Sequence, residues 1–270
     1  MPNPPRKLAF VTAATEQGTL IVNRFDQVTV RPNEGFGVGR QLLENASYDP
    51  SEVNLMLEVL KLRRKCYGDG VVAVDCGANI GVHTIEWAKR MTGWGEVLAI
   101  EAQERVYYAL AGNIAINNCF NARAINAAVT SQLGTMKIPV PNYFVATSFG
   151  SLELKQRENT EYIGQPIDYS ESKMIDVRAV SLDSLDLPRI DLIKIDVEGM
   201  EMEALTGGAA CIAGKHPIML IETIKSDKQA LRAWLENLGY LAVEAGINFL
   251  AIHQTDKGLA FLNIKKSAAA

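Results

Sequence analysis

The sequence has no long apolar run and therefore no segment that would cross a membrane as a helix. Such a helix needs about 20 consecutive apolar residues, and no run in this 270-residue chain approaches that length although 48% of its residues are hydrophobic. Residues 8–14 form a short apolar run behind Arg6 and Lys7, but the run is too short and too polar for a secretory leader. We therefore expect a cytoplasmic protein that does not insert into membranes.

Cysteine and histidine are scarce, and the chain has no excess of basic residues. The four cysteines form no C-x-x-C pair and the three histidines are scattered, which argues against a zinc site and a disulfide framework. Lysine and arginine number 27 against 31 aspartates and glutamates, so the net charge is -4. Because nucleic-acid-binding domains carry a basic surface, we expect no nucleic-acid partner.

The most informative segment is a strand followed by a glycine-bracketed turn and a helix. Residues 71–75 read V-V-A-V-D, which is typical of a buried parallel strand that ends in a carboxylate. The following G-A-N-I-G places Gly77 and Gly81 where a β-carbon would block a close approach. Helix amides after such a turn suit an anionic group, so we predict a nucleoside-cofactor site. Its candidate contacts here are Asp75, Gly77, Asn79, Gly81, His83 and Thr84.

The spacing within this segment discriminates between cofactors. It is G-x-N-x-G rather than the dinucleotide pattern G-x-G-x-x-G, which favours S-adenosylmethionine over NAD. Glu101 ends the next predicted strand twenty residues after Gly81, where an acid accepts hydrogen bonds from ribose hydroxyls in either class of enzyme. Gln103 is a further candidate for the adenosine, although an exposed polar residue at a helix start would look the same, and the same applies to His83.

Two later strands also end in carboxylates. Residues 190–201 read I-D-L-I-K-I-D-V-E-G-M-E, and the apolar run 217–221 ends at Glu222. Because the carboxyl ends of parallel strands meet at one edge of a sheet, we expect Asp196, Glu198 and Glu222 to face the cofactor crevice. Lys194 lies inside an apolar strand and needs a charge partner, for which Asp196 is the nearest candidate.

These residues are the candidates for catalysis. We rank Asp196 and Glu198 first, with Glu222 and Lys194 behind them. One carboxylate would act as a general base with a pKa raised by burial among like charges. Alternatively, two carboxylates would bind a divalent cation such as magnesium. We favour the direct base and predict no metal, because no aspartate–asparagine pair follows at Glu222. A lysine base would require a depressed pKa.

The order and spacing of these motifs resemble the FkbM family of class I S-adenosylmethionine-dependent methyltransferases. The resemblance covers about residues 71 to 245. It rests on V-D-C-G-A-N-I-G at 74–81, I-E-A at 100–102, L-I-K-I-D-V-E-G-M-E at 192–201 and L-I-E at 220–222. The K-I-D-V-E-G-x-E segment is the specific part, since most class I methyltransferases share the first motif.

The resemblance implies a fold, a cofactor and a reaction. The fold is an α/β, Rossmann-like, seven-stranded and mostly parallel sheet with helices on both faces, closed by an antiparallel pair at residues 240–243 and 249–253. Asn126 and Ala127 would line the adenine. The expected reaction is O-methylation of a small hydroxylated metabolite or sugar-containing compound. An NAD-dependent oxidoreductase and a non-catalytic cofactor-binding or dimerisation module are the alternatives.

The pattern along the chain divides it into two parts. Residues 1–70 are expected to form a hairpin around Glu16–Gly18 and a covering helix capped by Asp49. Residues 71–265 form the methyltransferase domain, in which strands and helices alternate as in a doubly wound sheet. The exposed edge of the hairpin would allow pairing with a second subunit in a homodimer.

Three further expectations concern particular segments. Ala122 to Val129 is expected to be one strand, and the basic residues between Lys61 and Lys65 a solvated helix end. Residues 139–181 lack a strong periodicity and are expected to be an inserted cap over the acceptor, away from the cofactor. The apolar anchors of that insertion are Tyr143, Phe144 and Phe149.

Overall fold

A computed structural model of the protein describes residues 7–31 and 34–261; the expected domain limit at residue 265 lies outside them. In chain order the described strands are β1 (Phe10–Thr15), β2 (Gly18–Asn23), β3 (Val28–Arg31), β4 (Glu34–Phe36), β5 (Val71–Cys76), β6 (Gly95–Glu101), β7 (Ala122–Asn126), β8 (Ala128–Val129), β9 (Gly134–Ile138), β10 (Ile175–Val180), β11 (Leu192–Ile195), β12 (Ile218–Glu222), β13 (Tyr240–Ala245) and β14 (Asn248–His253). The described α-helices are α1 (Val38–Asn45), α2 (Pro50–Tyr67), α3 (Val82–Arg90), α4 (Glu104–Ile116), α5 (Glu201–Thr206), α6 (Ala209–Lys215) and α7 (Lys228–Asn237). None of these helices is long and apolar enough to span a lipid bilayer.

The central sheet has seven strands in the order β13-β14-β12-β11-β5-β6-β7. Neighbours in the run from β12 to β7 are parallel, and β14 is antiparallel to both β12 and β13. The strand order reverses between β5 and β11, which is where an open α/β sheet forms its ligand crevice. The predicted seven-stranded, mostly parallel sheet and its closing antiparallel pair are confirmed.

Alternation along the strands divides the apolar core between the two faces of the sheet. Ala73, Leu192 and Leu220 pack on the face of the sheet that α2 and α3 cover. The residues that alternate with these three along the same strands pack on the other face, with α5, α6 and α7. Asp75, Lys194 and Glu222 continue the first set by steps of two residues. The strand period therefore directs these side chains toward the same side as α2.

The N-terminal segment contains the predicted hairpin β1–β2 and the predicted helix α2. The Asp49 side chain accepts a hydrogen bond from Glu52 N at 3.1 Å and caps α2. The structure also contains a β3–β4 hairpin and helix α1, which the sequence analysis did not predict. Gly37 precedes α1 at φ 135°, and a β-carbon there would lie 2.4 Å from Asp26 O. The glycines of this segment thus serve a close chain approach and conceal a short helix.

The expected strand from Ala122 to Val129 is wrong because the chain leaves the central sheet after Asn126. The Asn126 Nδ2 donates to Glu101 O at 2.8 Å and to Ala102 O at 3.0 Å, which ends the regular pairing with β6. Beyond Ala127, strand β8 pairs with β10, and β10 pairs with β9 in a separate three-stranded sheet. Because β10 is regular, the inserted segment, as we use the term below, is residues 139–174 rather than 139–181.

The basic end of α2 is solvated only in part. Arg63 is 4% exposed, and its guanidinium pairs with two buried carboxylates, those of Asp191 at 3.3 Å and Asp256. The Asp191 carboxylate also accepts a hydrogen bond from Val72 N at 2.9 Å. This ion cluster joins α2 to the starts of β5 and β11, at the end of the sheet opposite the crevice.

Removal of Arg63 would leave the buried Asp256 carboxylate without an ion-pair partner among the described residues, and Asp191 with Arg189 alone. We expect Arg63→Met to lower the free energy of unfolding by about 3–5 kcal/mol, the typical effect of breaking a buried ion pair. Lys61→Met on the same helix removes only an exposed pair with Glu58 and should change it by less than about 1 kcal/mol. Urea unfolding of both variants measures the difference, and equal losses would contradict the role of the cluster.

Candidate active site

A single crevice lies at the carboxyl ends of the central strands. The G-x-N-x-G turn and Glu101 border one part of it, and the carboxylates after β11 and β12 border another. Residues from the N-terminal segment and from the inserted segment complete its walls. The two motifs that the sequence placed far apart therefore line the same cavity.

The glycine turn joins the two motifs through the backbone. Gly77 has φ 78°, and a β-carbon on it would lie 1.7 Å from the Asp196 carbonyl oxygen. Asp196 N in turn donates to Cys76 O at 3.0 Å. Gly81, at φ 93°, does not border the crevice, and its β-carbon would lie 2.6 Å from Leu110 Cδ1. Gly77 thus serves the contact between turns, whereas Gly81 serves helix packing.

Asp75 is buried at the end of β5 and one of its carboxylate oxygens has no partner. Thr84 Oγ1 donates to Asp75 Oδ2 at 2.6 Å, whereas Asp75 Oδ1 has no hydrogen-bond partner among the described residues. Thr84 is fully buried and lies outside the crevice lining, so it holds Asp75 in place. His83 does border the crevice, and its Nε2 lies 3.2 Å from Glu52 Oε1.

Glu101 is held by backbone amides of the turn and of α4. Its Oε2 accepts from Asn79 N at 2.9 Å and its Oε1 from Gln103 N at 2.8 Å. Burial raises the pKa of Glu101 to about 7, although these two amides oppose the shift. Ala127 borders the crevice close by, whereas Asn126 does not.

Gln103 connects the cofactor motif to the inserted segment. It is 6% exposed, so it is not a solvated helix-start residue. Its Nε2 donates to Phe149 O at 2.7 Å, and its Oε1 accepts from Tyr143 OH at 3.3 Å. Phe149 is buried and packs against Tyr143, but Phe144 is 44% exposed and is not an anchor.

The inserted segment borders the part of the crevice that contains the glycine turn, contrary to expectation. Its lining residues are Ser148, Gly150, Ser151, Leu152 and Leu154. A β-carbon on Gly150 would lie 2.8 Å from Asn79 Nδ2. We expected the segment to cover only the acceptor. The sequence could not correct this expectation, because spacing does not show how far a loop folds back over its own sheet.

The predicted pair of Lys194 and Asp196 is present. Lys194 is buried, and its Nζ lies 2.6 Å from Asp196 Oδ2. Burial alone would lower the pKa of Lys194, but the carboxylates of Asp196, Asp75 and Glu52 outweigh it and raise the pKa. This direction of the shift disfavours a lysine base, and the short contact with Asp196 favours the role of a charge partner.

Glu198 and Glu222 are carboxyl groups with raised pKa values. Burial and the charge of Asp196 raise the pKa of Glu198 well above its usual range and that of Glu222 to about 8. Glu198 Oε2 lies 2.6 Å from Lys225 Nζ, whereas Glu222 Oε2 has no hydrogen-bond partner among the described residues. One oxygen each of Asp196, Glu198 and Glu222 lie within 4.8 Å of one another, a spacing that would also suit a divalent cation. The prediction of no metal stays a prediction.

Several crevice residues were missed by sequence reasoning. Tyr48, Glu52 and Asn248 border the crevice from the start of α2 and from β14. Glu52 Oε2 accepts from Asn248 Nδ2 at 2.6 Å. His83, Lys194 and Asn248 lower the pKa of Glu52 to about 2, against the effect of burial. Glu52 was recognised only as part of the cap of α2, because nothing local shows where its carboxylate points.

Glu201 stabilises the acidic turn, which is the name used here for residues 196–200 between β11 and α5. It is fully buried, and its Oε1 accepts from Val197 N at 3.2 Å and from Gly199 N at 2.9 Å. Ser226 donates to its second oxygen. The signal was available, since Glu201 is the last acid of the K-I-D-V-E-G-x-E segment.

No curated protein matches the chain. Similar solved structures include methyltransferase FkbM from Methylobacillus flagellatus KT (16% identity, TM-score 0.47, 68% of this chain and 43% of that chain). Others are precorrin-6y C5,15-methyltransferase from Geobacter metallireducens GS-15 (16%, 0.43, 75% and 77%) and magnesium protoporphyrin IX methyltransferase from Synechocystis PCC 6803 with bound SAM (12%, 0.42, 75% and 78%).

This chain thus spans less than half the length of the Methylobacillus flagellatus protein. The family model described as the methyltransferase FkbM domain matches residues 75–242, which is more than half of the chain. The match includes the glycine turn, Glu101 and the carboxylates of Asp196, Glu198 and Glu222. The chain therefore belongs to the FkbM methyltransferase family.

Proposed function

We propose that the protein transfers a methyl group from S-adenosylmethionine to a hydroxyl group of a small metabolite or sugar-containing compound. The observation that carries the proposal is one crevice in which the glycine turn and Glu101 adjoin the carboxylates Asp196, Glu198 and Glu222. Family membership favours methyl transfer over the hydride transfer of an NAD enzyme. A non-catalytic module remains an outcome of the experiments below.

The residues present fit S-adenosylmethionine. The unpartnered, buried Oδ1 of Asp75 suits a positively charged group such as an amino-acid ammonium. The carboxylate of Glu101 suits the ribose hydroxyls, since each of its oxygens has a lone pair beyond the one used by a backbone amide. Ala102 and Ala127 offer small apolar walls for the adenine.

The protein's own part in the reaction is to orient the acceptor and remove its proton. The cofactor supplies an electrophilic methyl group on a sulfonium sulfur. A hydroxyl nucleophile must lose its proton, and a carboxylate with a raised pKa is a suitable acceptor for it near neutral pH. Only the ionised form of a carboxyl group can accept the proton. Glu222, with a pKa of about 8 and an oxygen without a hydrogen-bond partner among the described residues, gains this form as the pH rises toward 8, and Glu198 has it when it is paired with Lys225. Asp196 is held by Lys194 and shapes the field at both.

The charge of the crevice restricts the acceptor. Beyond Asp75 and Glu101, its lining includes Asp49, Glu52, Asp196, Glu198 and Glu222, whereas Lys194 already pairs with Asp196 and Lys225 lies outside the lining and pairs with Glu198. Even where Glu198 and Glu222 hold a proton, the remaining acidic side chains of the lining outnumber Lys194 and would repel a phosphate or a carboxylate on the acceptor. We therefore expect a neutral polyhydroxylated or an amine-bearing acceptor.

The role of Glu101 gives a pH-dependent prediction. Its pKa in the folded protein is about 7, so it is largely protonated at pH 6 and largely ionised at pH 8. Ribose hydroxyls bind the ionised form, so the affinity for S-adenosylhomocysteine should rise with pH across this window. Glu101→Gln should lose about tenfold or more at pH 8 and much of the pH dependence.

Isothermal titration calorimetry of both proteins at pH 6 and pH 8 measures this effect. Glu104→Gln is the control, since Glu104 begins α4 but does not border the crevice. An affinity of Glu101→Gln equal to that of the wild type at pH 8 would remove Glu101 from the cofactor site.

The position of the inserted segment predicts an effect of Gly150 on cofactor binding. Gly150→Val would place its β-carbon 2.8 Å from Asn79 Nδ2 and push the segment away from the glycine turn. We expect affinity for S-adenosylhomocysteine to fall by about tenfold, or roughly 1.4 kcal/mol. Gly214→Val, where a β-carbon meets open space, is the control. Unchanged affinity in Gly150→Val would support the earlier view that the segment covers only the acceptor.

The carboxylates are tested by isosteric substitution. With a panel of neutral, amine-bearing and phosphorylated alcohols, methyl transfer by Glu198→Gln or Glu222→Gln should fall by about 10²- to 10⁴-fold while cofactor affinity stays within a few fold. Methyl transfer by Asp196→Asn should fall as well. Sensitivity of the wild type to a chelator, with restoration by magnesium, would show a metal site instead of a direct base. Cofactor binding without transfer to any acceptor would favour the non-catalytic module.

A further inference from the structure

We infer that Lys225 is a positioning residue that ties the inserted segment to Glu198, so that the acidic part of the crevice is complete only when this segment is docked. The inference rests on the proposed function, because it assigns Glu198 to the reacting side of the crevice. It follows from the contacts of a lysine that lies three residues beyond the end of β12 and outside all the sequence motifs.

The ammonium group of Lys225 contacts three acceptors from two parts of the chain. Its Nζ lies 2.6 Å from Glu198 Oε2, 3.0 Å from Glu161 Oε2 and 2.7 Å from Ser151 O. An ammonium has three donors, so each of them has an acceptor. Two of these acceptors belong to the inserted segment and the third to the acidic turn. The side chain is only 9% exposed, so solvent screens these contacts weakly.

A second contact holds the backbone of the same region. Arg157 Nη1, from the inserted segment, donates to Lys225 O at 2.6 Å. The guanidinium also lies against Gly199, where a β-carbon would be 1.2 Å from Arg157 Nη2. Gly199 therefore leaves room for the inserted segment beside Glu198. The segment contacts both the loop after β12 and the turn after β11.

Glu198 needs such a support because its backbone is unfavourable for a residue with a β-carbon. Its φ of 53° places it in the left-handed region, which is strained for a non-glycine residue. Glu201 holds the backbone amides on either side of it. Among the described residues, Lys225 is the one ion-pair partner of the Glu198 carboxylate. Lys225 therefore sets where this carboxylate points.

The chain offers two matched controls. Glu161→Gln weakens the link between Lys225 and the inserted segment but leaves the pair with Glu198 intact, and Glu161 does not border the crevice. Lys155→Met removes a separate tether, in which Lys155 Nζ contacts both carboxylate oxygens of Glu203 on α5 at 2.7 Å. Both variants loosen the segment without touching Glu198.

The first measurement is amide hydrogen exchange of residues 150–165 in the full chain, with and without S-adenosylhomocysteine. We expect Lys225→Met to raise exchange there by about tenfold or more, and Glu161→Gln and Lys155→Met by less. Glu198→Gln should also raise it, because a coupling between two sites is reciprocal. Wild-type exchange in both Lys225→Met and Glu198→Gln would overturn the inference without any assay of turnover.

The second measurement is methyl transfer to an acceptor found in the panel above. Lys225→Met should lower kcat by about 10- to 100-fold, as expected for a displaced catalytic group, with KM for S-adenosylmethionine within a few fold. Glu161→Gln and Lys155→Met loosen the segment but keep the contact between Lys225 and Glu198, so they should lower kcat by clearly less, a few fold at most. Equal losses of kcat in all three variants would reduce Lys225 to a structural tether and overturn its positioning role. Absence of transfer by the wild type would contradict the proposed function itself.

Discussion

The contact between Gly77 and the carbonyl oxygen of Asp196 is the constraint on which the crevice depends. The turns after β5 and β11 meet there at a distance that admits no β-carbon. Any side chain at residue 77 would separate these turns, and with them Asp75 from Lys194 and Asp196. A glycine that sequence reasoning assigns to ligand approach therefore has a second function. It brings the cofactor motif and the acidic motif into one cavity, so its replacement would disturb both.

Electrostatics decides how the residues in that cavity divide their roles. Lys194 and Lys225 are buried beside the carboxylates of Glu52, Asp196, Glu198 and Glu222. Lys194 makes a close pair with Asp196, and Lys225 makes one with Glu198. His83 and Asn248 contact Glu52, which keeps its pKa low. Glu222 is left with an oxygen that has no hydrogen-bond partner among the described residues. The unequal pairing separates carboxylates of similar chemistry, because Glu52 stays ionised whereas Glu222 holds a proton near neutral pH. Such a separation is how a site obtains an acid or base from ordinary carboxylates.

Much of this arrangement could be predicted because the strands carry a clear local signal. Apolar runs that end in carboxylates identified β5, β6, β11 and β12, and the topology of a parallel sheet placed their ends together. The orientations of Glu52 and Lys225 could not be predicted, since each depends on partners far along the chain. Glu52 contacts Asn248 at a separation of 196 residues, and Lys225 contacts Ser151 at a separation of 74. In the sequence the first looks like a helix-capping acid and the second like a loop lysine.

The same reason explains the errors made on regular elements. Arg63 looks like part of a solvated basic helix end, and only the packing of α2 against the sheet shows that Asp191 and Asp256 bury it. Strand β10 is hidden because its partners β8 and β9 pair away from the central sheet. In both cases local periodicity is weaker than the tertiary contact that decides the structure.

Two residues with β-carbons, Asn79 and Glu198, take the left-handed conformation in the two turns that meet at Gly77. Strained positions of this kind persist only where the surroundings hold them, and they concentrate at functional sites. Asn79 is held from within the domain, since its backbone N–H donates to the Glu101 carboxylate and its side-chain Oδ1 accepts from Ile80 N at 2.7 Å. Glu198 is held by Lys225, which the inserted segment holds in turn. The backbone of the glycine turn is therefore held from within the sheet domain although the inserted segment borders it, whereas the direction of the Glu198 carboxylate depends on that segment through Lys225.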